Sequence, residues 1–310
     1  MKLLSVLLSG LLPVLGAGGP WAARAAETAR TFSSAEEAVA ALAAAVQAQD
    51  RDALRSIFGP AGEEVTNPDR VQAANEFNAF AAALEKAHRL VPQSSSQCVL
   101  EVGASAWPFP IPIVRQGSLW QFDTEAGKEE LLNRRIGRNE LAVLQAMRAY
   151  VGAQREYASR DRDRDEVLEY AQCLASAPGT KNGLYWPPDL DGEISPMGPL
   201  VAQAQAEGYA IRARGQAGTR APFHGYYFKI LARQGKHAPG GKHDYVVNGN
   251  MIAGFALAAW PAEYRQSGVM TFIVNHQGRV YQKDLGPKTA RIAAALRDYS
   301  PDRTWTISLE

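Results

Sequence analysis

The stretches that decide the fold lie in the second half of the chain. Gly225-Tyr226-Tyr227-Phe228-Lys229-Ile230-Leu231 is rich in aromatic and β-branched residues and reads as a strand. Phe255-Ala256-Leu257-Ala258-Ala259-Trp260 and Val269 to Val274 read the same way. Asn275-His276-Gln277-Gly278 then makes a hairpin turn, and Arg279-Val280-Tyr281-Gln282 returns. Strands joined so closely are antiparallel. A long helix precedes them, with Leu141, Leu144, Met147 and Val151 as its apolar stripe and Tyr150 and Tyr157 extending it. A helix followed by an antiparallel sheet gives an α+β class.

Upstream, Ser33-Ser34-Ala35-Glu36 has the capping-box pattern, and Ala35, Val39, Leu42 and Val46 follow at helical spacing. A short helix covers Asp52 to Phe58, stopped by Gly59-Pro60, and another covers Val71 to Ala87. After Pro92, Cys98-Val99-Leu100-Glu101-Val102 reads as a strand, and a hairpin runs from Pro110 through Gln116-Gly117 to Asp123. Residues 124–139 are charged and read as a link into the long helix. Short helices are expected over Val167 to Ser176, Pro199 to Gly208 and Lys288 to Tyr299. The expected organisation is a signal at 1–25, an N-terminal α+β module at 30–130 and a C-terminal module at 131–310.

Lys2, the apolar run from Leu3 to Gly16 and the small-x-small Ala23-Arg24-Ala25 compose a secretory signal with cleavage near Ala25. Pro13 interrupts the run, which is shorter than the ~20 residues that span a bilayer. The mature chain is therefore expected in the periplasm or secreted, without a membrane span. The whole chain has 33 basic and 32 acidic residues; losing Lys2 and Arg24 leaves 31 against 32, a net of −1. A chain near neutrality lacks the positive field that nucleic-acid binding uses. In an oxidising compartment Cys98 and Cys173, 75 positions apart, can pair; two buried thiols that never meet are the alternative.

Three groups of side chains are candidate sites. Asp161, Asp163 and Asp165, with Glu169 after them, place carboxylates at alternate positions, a pattern that wraps calcium. Glu166 stands where such loops need glycine, and Arg162 and Arg164 supply internal counter-charges, so a loop capping the next helix is the competing reading. Tyr185, Trp186, Tyr226, Tyr227, Trp260 and Tyr264 could line a groove for a ligand or partner; core packing is the alternative. His224, His237 and His243, with Asp244, fall within 20 residues but lack ligand spacing, and strand-end histidines are the simpler reading. No G-x-S-x-G, H-E-x-x-H, C-x-x-C, Walker or G-x-G-x-x-G motif occurs, so no catalytic residue is nominated and no cofactor beyond calcium is suggested.

Several segments carry a family likeness: Trp107-Pro108-Phe109-Pro110-Ile111-Pro112, Arg135-Ile136-Gly137-Arg138-Asn139-Glu140, Gly183-Leu184-Tyr185-Trp186-Pro187, His224-Gly225-Tyr226-Tyr227-Phe228, Asp244-Tyr245-Val246-Val247-Asn248-Gly249, Trp260-Pro261-Ala262-Glu263-Tyr264 and Ser267-Gly268-Val269-Met270-Thr271-Phe272. With these the chain resembles the exported bacterial family called domain of unknown function 2950, over nearly all of its mature length. That resemblance implies export and no assigned activity. The order Ala153-Gln154 with Tyr157, Tyr226 with Phe228, Ala259 with Pro261, Ser267-Gly268 with Phe272, and Gly278 with Val280-Tyr281 is similar to the heads of type IV pilins and pseudopilins. The apolar half-helix that anchors true pilins is missing, which separates the likeness from pilus assembly. The N-terminal module is loosely similar to an NTF2-like cone. Together these readings imply a binding or assembly protein acting on another envelope component, the rival being a periplasmic hydrolase whose site converges only in three dimensions.

Overall fold

A computed structural model describes residues 28–162, 164–188, 192–210 and 221–308. The signal, its cleavage site and Asp163 lie outside the described residues. The fold is α+β and divides into two compact units, one ending at Arg135 and the other beginning at Ile136.

In the first unit, α1 (Ala35–Gln47) starts where Ser34 accepts from the Glu37 N–H. The Glu37 carboxylate in turn accepts from the Ser33 N–H at 2.8 Å, so the reciprocal cap closes one residue later than the sequence pattern places it. Asp50 caps α2 (Arg51–Phe58) by accepting from the Asp52 and Ala53 N–H groups, and Gly59 ends it at φ +65°. After α3 (Ala61–Glu64), Asp69 caps α4 (Arg70–Lys86) in the same manner. Five strands follow: β1 (His88–Ser94), β2 (Gln97–Val102), β3 (Trp107–Pro108), β4 (Ile113–Gln116) and β5 (Leu119–Phe122). They pair antiparallel in the order β1-β2-β4-β5, with β3 also on β2. Leu42, Phe58, Phe80, Leu100, Phe109, Ile113 and Phe122 fill the core, with Phe58 and Phe122 centred 5.3 Å apart.

Residues 124–139 are helical, which corrects the expected linker: α5 runs unbroken from Thr124 to Tyr157. Asp123 accepts from the Ala126 N–H, Glu130 pairs with Arg134 four residues on, and Gly127 lets the helix approach the Ile111 backbone. Arg135 is fully buried and donates to the carbonyls of Thr66, at 2.8 Å, and Val65. Burial lowers its pKa to about 10.

The second unit adds α6 (Gly198–Ala206), β6 (Tyr226–Leu231), β7 (Arg233–Gln234), β8 (His243–Asp244), β9 (Val246–Val247), β10 (Asn250–Met251), β11 (Ala256–Pro261), β12 (Met270–Asn275), β13 (Tyr281–Asp284), a 3₁₀ turn (Gly286–Lys288), α7 (Thr289–Ala294) and β14 (Thr306–Ile307). Its main sheet is antiparallel in the order β14-β13-β12-β11-β6; β7-β8 and β9-β10 are separate two-stranded ribbons. Val143, Met147, Tyr150 and Val151 of α5 belong to one core with Leu257, Phe272 and Val274. Burial raises the Tyr150 phenol pKa, and its hydroxyl donates to the Ala256 carbonyl at 3.2 Å.

Two expected helices change. Residues 167–176 are irregular, because their backbone groups bond elsewhere. The buried Gln154 side chain donates to the Ala171 carbonyl and accepts from the Ala171 N–H, each at 2.8 Å, and the Tyr170 N–H donates to Met251. The last helix stops at Ala294, after which the Tyr299 N–H bonds to the Arg233 carbonyl. Among the described residues no helix is long and apolar enough to cross a membrane.

Candidate functional site

One polar arrangement in the second unit ties α5 to the sheet. Glu140 Oε1 accepts from the Val269 and Met270 N–H groups, both at 2.9 Å. The Tyr226 hydroxyl donates to the Met270 carbonyl at 3.0 Å and lies 3.4 Å from the same Glu140 oxygen. Burial first, and the Glu140 charge second, push the Tyr226 phenol far above its ordinary pKa. Asn139 Nδ2 donates to the Ser267 carbonyl at 2.8 Å. Gly225, at φ +72°, comes so close that a Cβ there would lie 2.8 Å from Asn139 Nδ2. A carboxylate and a phenol bound in this way position β6 and β12.

The six nominated aromatics are dispersed. Tyr226 and Trp186 are fully buried, Trp260 is nearly so, and Tyr185, Tyr227 and Tyr264 are half-buried. Tyr227 and Trp260 face each other across β6 and β11 with ring centres 6.0 Å apart. The Tyr264 hydroxyl donates to Asp284 at 3.1 Å, while Tyr185 joins Ala175 in an isolated bridge. Trp186 donates from its indole N–H to the Glu193 carbonyl at 3.0 Å, and the cations of Arg162 and Lys181 lie 5.2 and 5.6 Å from its ring centre. Glu193 receives Lys181 at 2.7 Å, Arg160 at 3.5 Å and Arg162; chiefly through Lys181, its carboxyl is held below the usual carboxylate range. Arg162 also donates to the Tyr157 carbonyl, closing the end of α5.

The described carboxylates of the acidic loop are engaged by the fold. Asp161 accepts from the N–H groups of Arg164 and Glu166, Asp165 from those of Val167 and the Asn250 amide, and Glu169 from the Met251 N–H at 3.0 Å. These bonds organise a turn and dock it on the β9-β10 ribbon. Among the described residues no three His, Cys, Asp or Glu side chains gather as a cation site.

The histidines are likewise apart. His224 sits 3.1 Å from Glu207, His237 is exposed, and His243 lies 3.4 Å from the Ala253 carbonyl. His276 is the more constrained ring: its Nδ1 is buried without a hydrogen bond, and burial first, then His243 and Arg155, lower its pKa. Nearby, the Tyr245 hydroxyl donates to Gln234 at 3.0 Å, and burial raises its pKa to about 12.

Cys98 and Cys173 are both thiols, one in each unit. Cys98 is packed in the core of the first unit, where burial raises its pKa, and Cys173 Sγ donates to the Asn182 carbonyl at 2.9 Å in the second.

Sequence reasoning passed over Glu140, Gln154, Glu193 and Gly268 as individual residues. Gly268 had a legible signal, the Ser-Gly pair before an apolar strand; a Cβ there would lie 2.0 Å from the Tyr226 hydroxyl. Glu193 had none, because its three cations stand at no fixed spacing from it, Lys181 12 positions before it and Arg162 31.

No curated protein and no solved structure matches the chain. A family model described as "Protein of unknown function (DUF2950)" matches residues 29–307, which takes in both units. The chain therefore belongs to the DUF2950 family.

Proposed function

We propose that this is an exported envelope protein that acts by binding or assembly with another envelope protein. One observation carries the reading: Glu140, Tyr226, Asp161, Asp165, Glu169 and Glu193, the side chains best suited to chemistry, are bonded to the protein's own backbone and side chains. Such bonds build a rigid scaffold that presents surface. The pattern of residues 1–25 supports export. The order of long helix and antiparallel sheet in the second unit supports the pilin-head likeness as a display architecture.

Fractionation of producing cells, N-terminal sequencing of the mature chain and cross-linking in place test the proposal. The expected results are a chain beginning just after Ala25 and one reproducible cross-linked envelope protein. Multiple turnover of ester, peptide or glycoside substrates by the purified mature chain, abolished by a point substitution, would favour the hydrolase instead.

A further inference from the structure

The outer edge of β6 offers a specific surface, and the inference drawn from it rests on the binding reading above. β6 pairs with β11 on one side, and no strand among the described residues pairs with the other. The Ala262 N–H donates to the Gly225 carbonyl at 2.8 Å, and the register sets Tyr227, Lys229 and Leu231 opposite Trp260, Ala258 and Ala256. Because antiparallel exchange alternates, these residues turn their backbone groups toward β11, while Tyr226, Phe228 and Ile230 turn theirs outward. Phe223 takes both outward groups of Tyr226, at 2.9 and 3.0 Å. Among the described residues no backbone hydrogen bond engages the N–H and C=O groups of Phe228 and Ile230, two rungs of a ladder without its other rail.

Two other outer strands among the described residues are blunted. β1 carries Pro92 and an exposed Arg89, and β14 is two residues long. β6 is six residues long and holds no proline. Its single charge, Lys229, donates to the carbonyls of Ala294 at 2.9 Å and Leu296 at 2.7 Å, with the Arg297 charge beside it. This corner is positive and holds its ammonium on carbonyls instead of a carboxylate.

We propose that β6 is a docking edge for an extended segment of a partner protein, which adds as an antiparallel strand and sets an Asp or Glu opposite Lys229. Main-chain bonds to Phe228 and Ile230 supply the attachment and the acid supplies selectivity. A second copy of this chain fits less well, because the symmetric pairing of Phe228 with Ile230 places two Lys229 side chains opposite each other.

The test uses labelled peptides of about ten residues, alternating Val and Thr, with a central Glu or a central Lys. By fluorescence anisotropy the full mature chain is expected to bind the Glu peptide about tenfold more tightly than the Lys peptide. Lys229→Met, which keeps the aliphatic stem, removes most of that preference. Ile230→Pro, which deletes an outward N–H outside the β11 ladder, abolishes binding of both. Hydrogen exchange at Phe228 and Ile230 slows when the Glu peptide is added, a readout in the wild-type chain that does not depend on any variant folding. Equal binding of the two peptides, unaltered binding by a folded Ile230→Pro, or a β6-mediated dimer in sedimentation would each overturn the proposal. If the in-cell cross-link persists in Ile230→Pro, the edge is refuted while the binding reading stands.

Discussion

Replacing Gly268 by alanine tests how tightly the Glu140–Tyr226 arrangement is built. The new Cβ would lie 2.0 Å from the Tyr226 hydroxyl, 2.4 Å from Cζ and 2.5 Å from Cε2. Tyr226 is fully buried and its ring packs 6.0 Å from Phe272, so the ring has no open side to move into. Overpacking of this kind costs about 1–3 kcal/mol. Displacing the hydroxyl from the Met270 carbonyl removes a buried hydrogen bond, about 1 kcal/mol more. The expected loss is about 2–4 kcal/mol. Urea unfolding followed by tryptophan fluorescence measures it as a fall in midpoint at constant slope. Tyr226→Phe alone should cost about 1 kcal/mol. Combined with Gly268→Ala it removes the closest collision but leaves the contacts at 2.4 and 2.5 Å, so the double variant should lose less than the sum of the singles. A Gly268→Ala protein within about 0.5 kcal/mol of wild type, or strictly additive losses, would refute the packing argument.

Gly137 and Gly152 lie inside α5, and a Cβ added at either would meet no atom within 4 Å. Alanine at either position should therefore stabilise by roughly 0.5–1 kcal/mol in the same denaturation experiment. His276 has a depressed pKa in the folded chain, so the unfolded chain binds the proton more readily. Stability should fall as pH drops through its ordinary value of 6.5 and level off below the folded pKa; His276→Gln should flatten that part of the pH profile of Tm. Under native conditions a thiol reagent should label half-exposed Cys173 quickly and Cys98, buried with a raised pKa, only as the first unit opens. Equal labelling rates would contradict that burial.

The readable parts of the sequence were those where local pattern and tertiary demand agree. The apolar stripe of α1, the turn at Gln116-Gly117 and the succession of β11, β12 and β13 follow from periodicity and turn residues. Sequence pattern failed where distant groups override local preference. Residues 167–176 have helical spacing, yet Gln154 and Met251 take their backbone bonds. Residues 124–139 look like a charged linker because both glycines weaken the pattern, while Thr124, bonded to the Phe58 carbonyl, and Gly127, set against Ile111, draw the segment onto a core. The aromatic candidates differ in burial, and composition alone does not separate a buried Trp186 from a half-exposed Tyr264. The docking edge was legible as a strand, but its unpaired side depends on sheet order, which sequence does not encode locally.

The Gln154 amide has a kinetic consequence. Its oxygen and nitrogen meet the N–H and C=O of Ala171 as a neighbouring peptide group would, so one side chain serves as a rung for a segment 17 residues away. That rung exists only after α5 has formed and turned Gln154 inward. The segment also needs the Met251 carbonyl, about 80 positions further on, before the Tyr170 N–H is satisfied. Residues 165–172 are therefore expected to join in the late, non-local part of the folding reaction, closing over a helix and ribbon already in place: substitutions there should speed unfolding more than they slow folding.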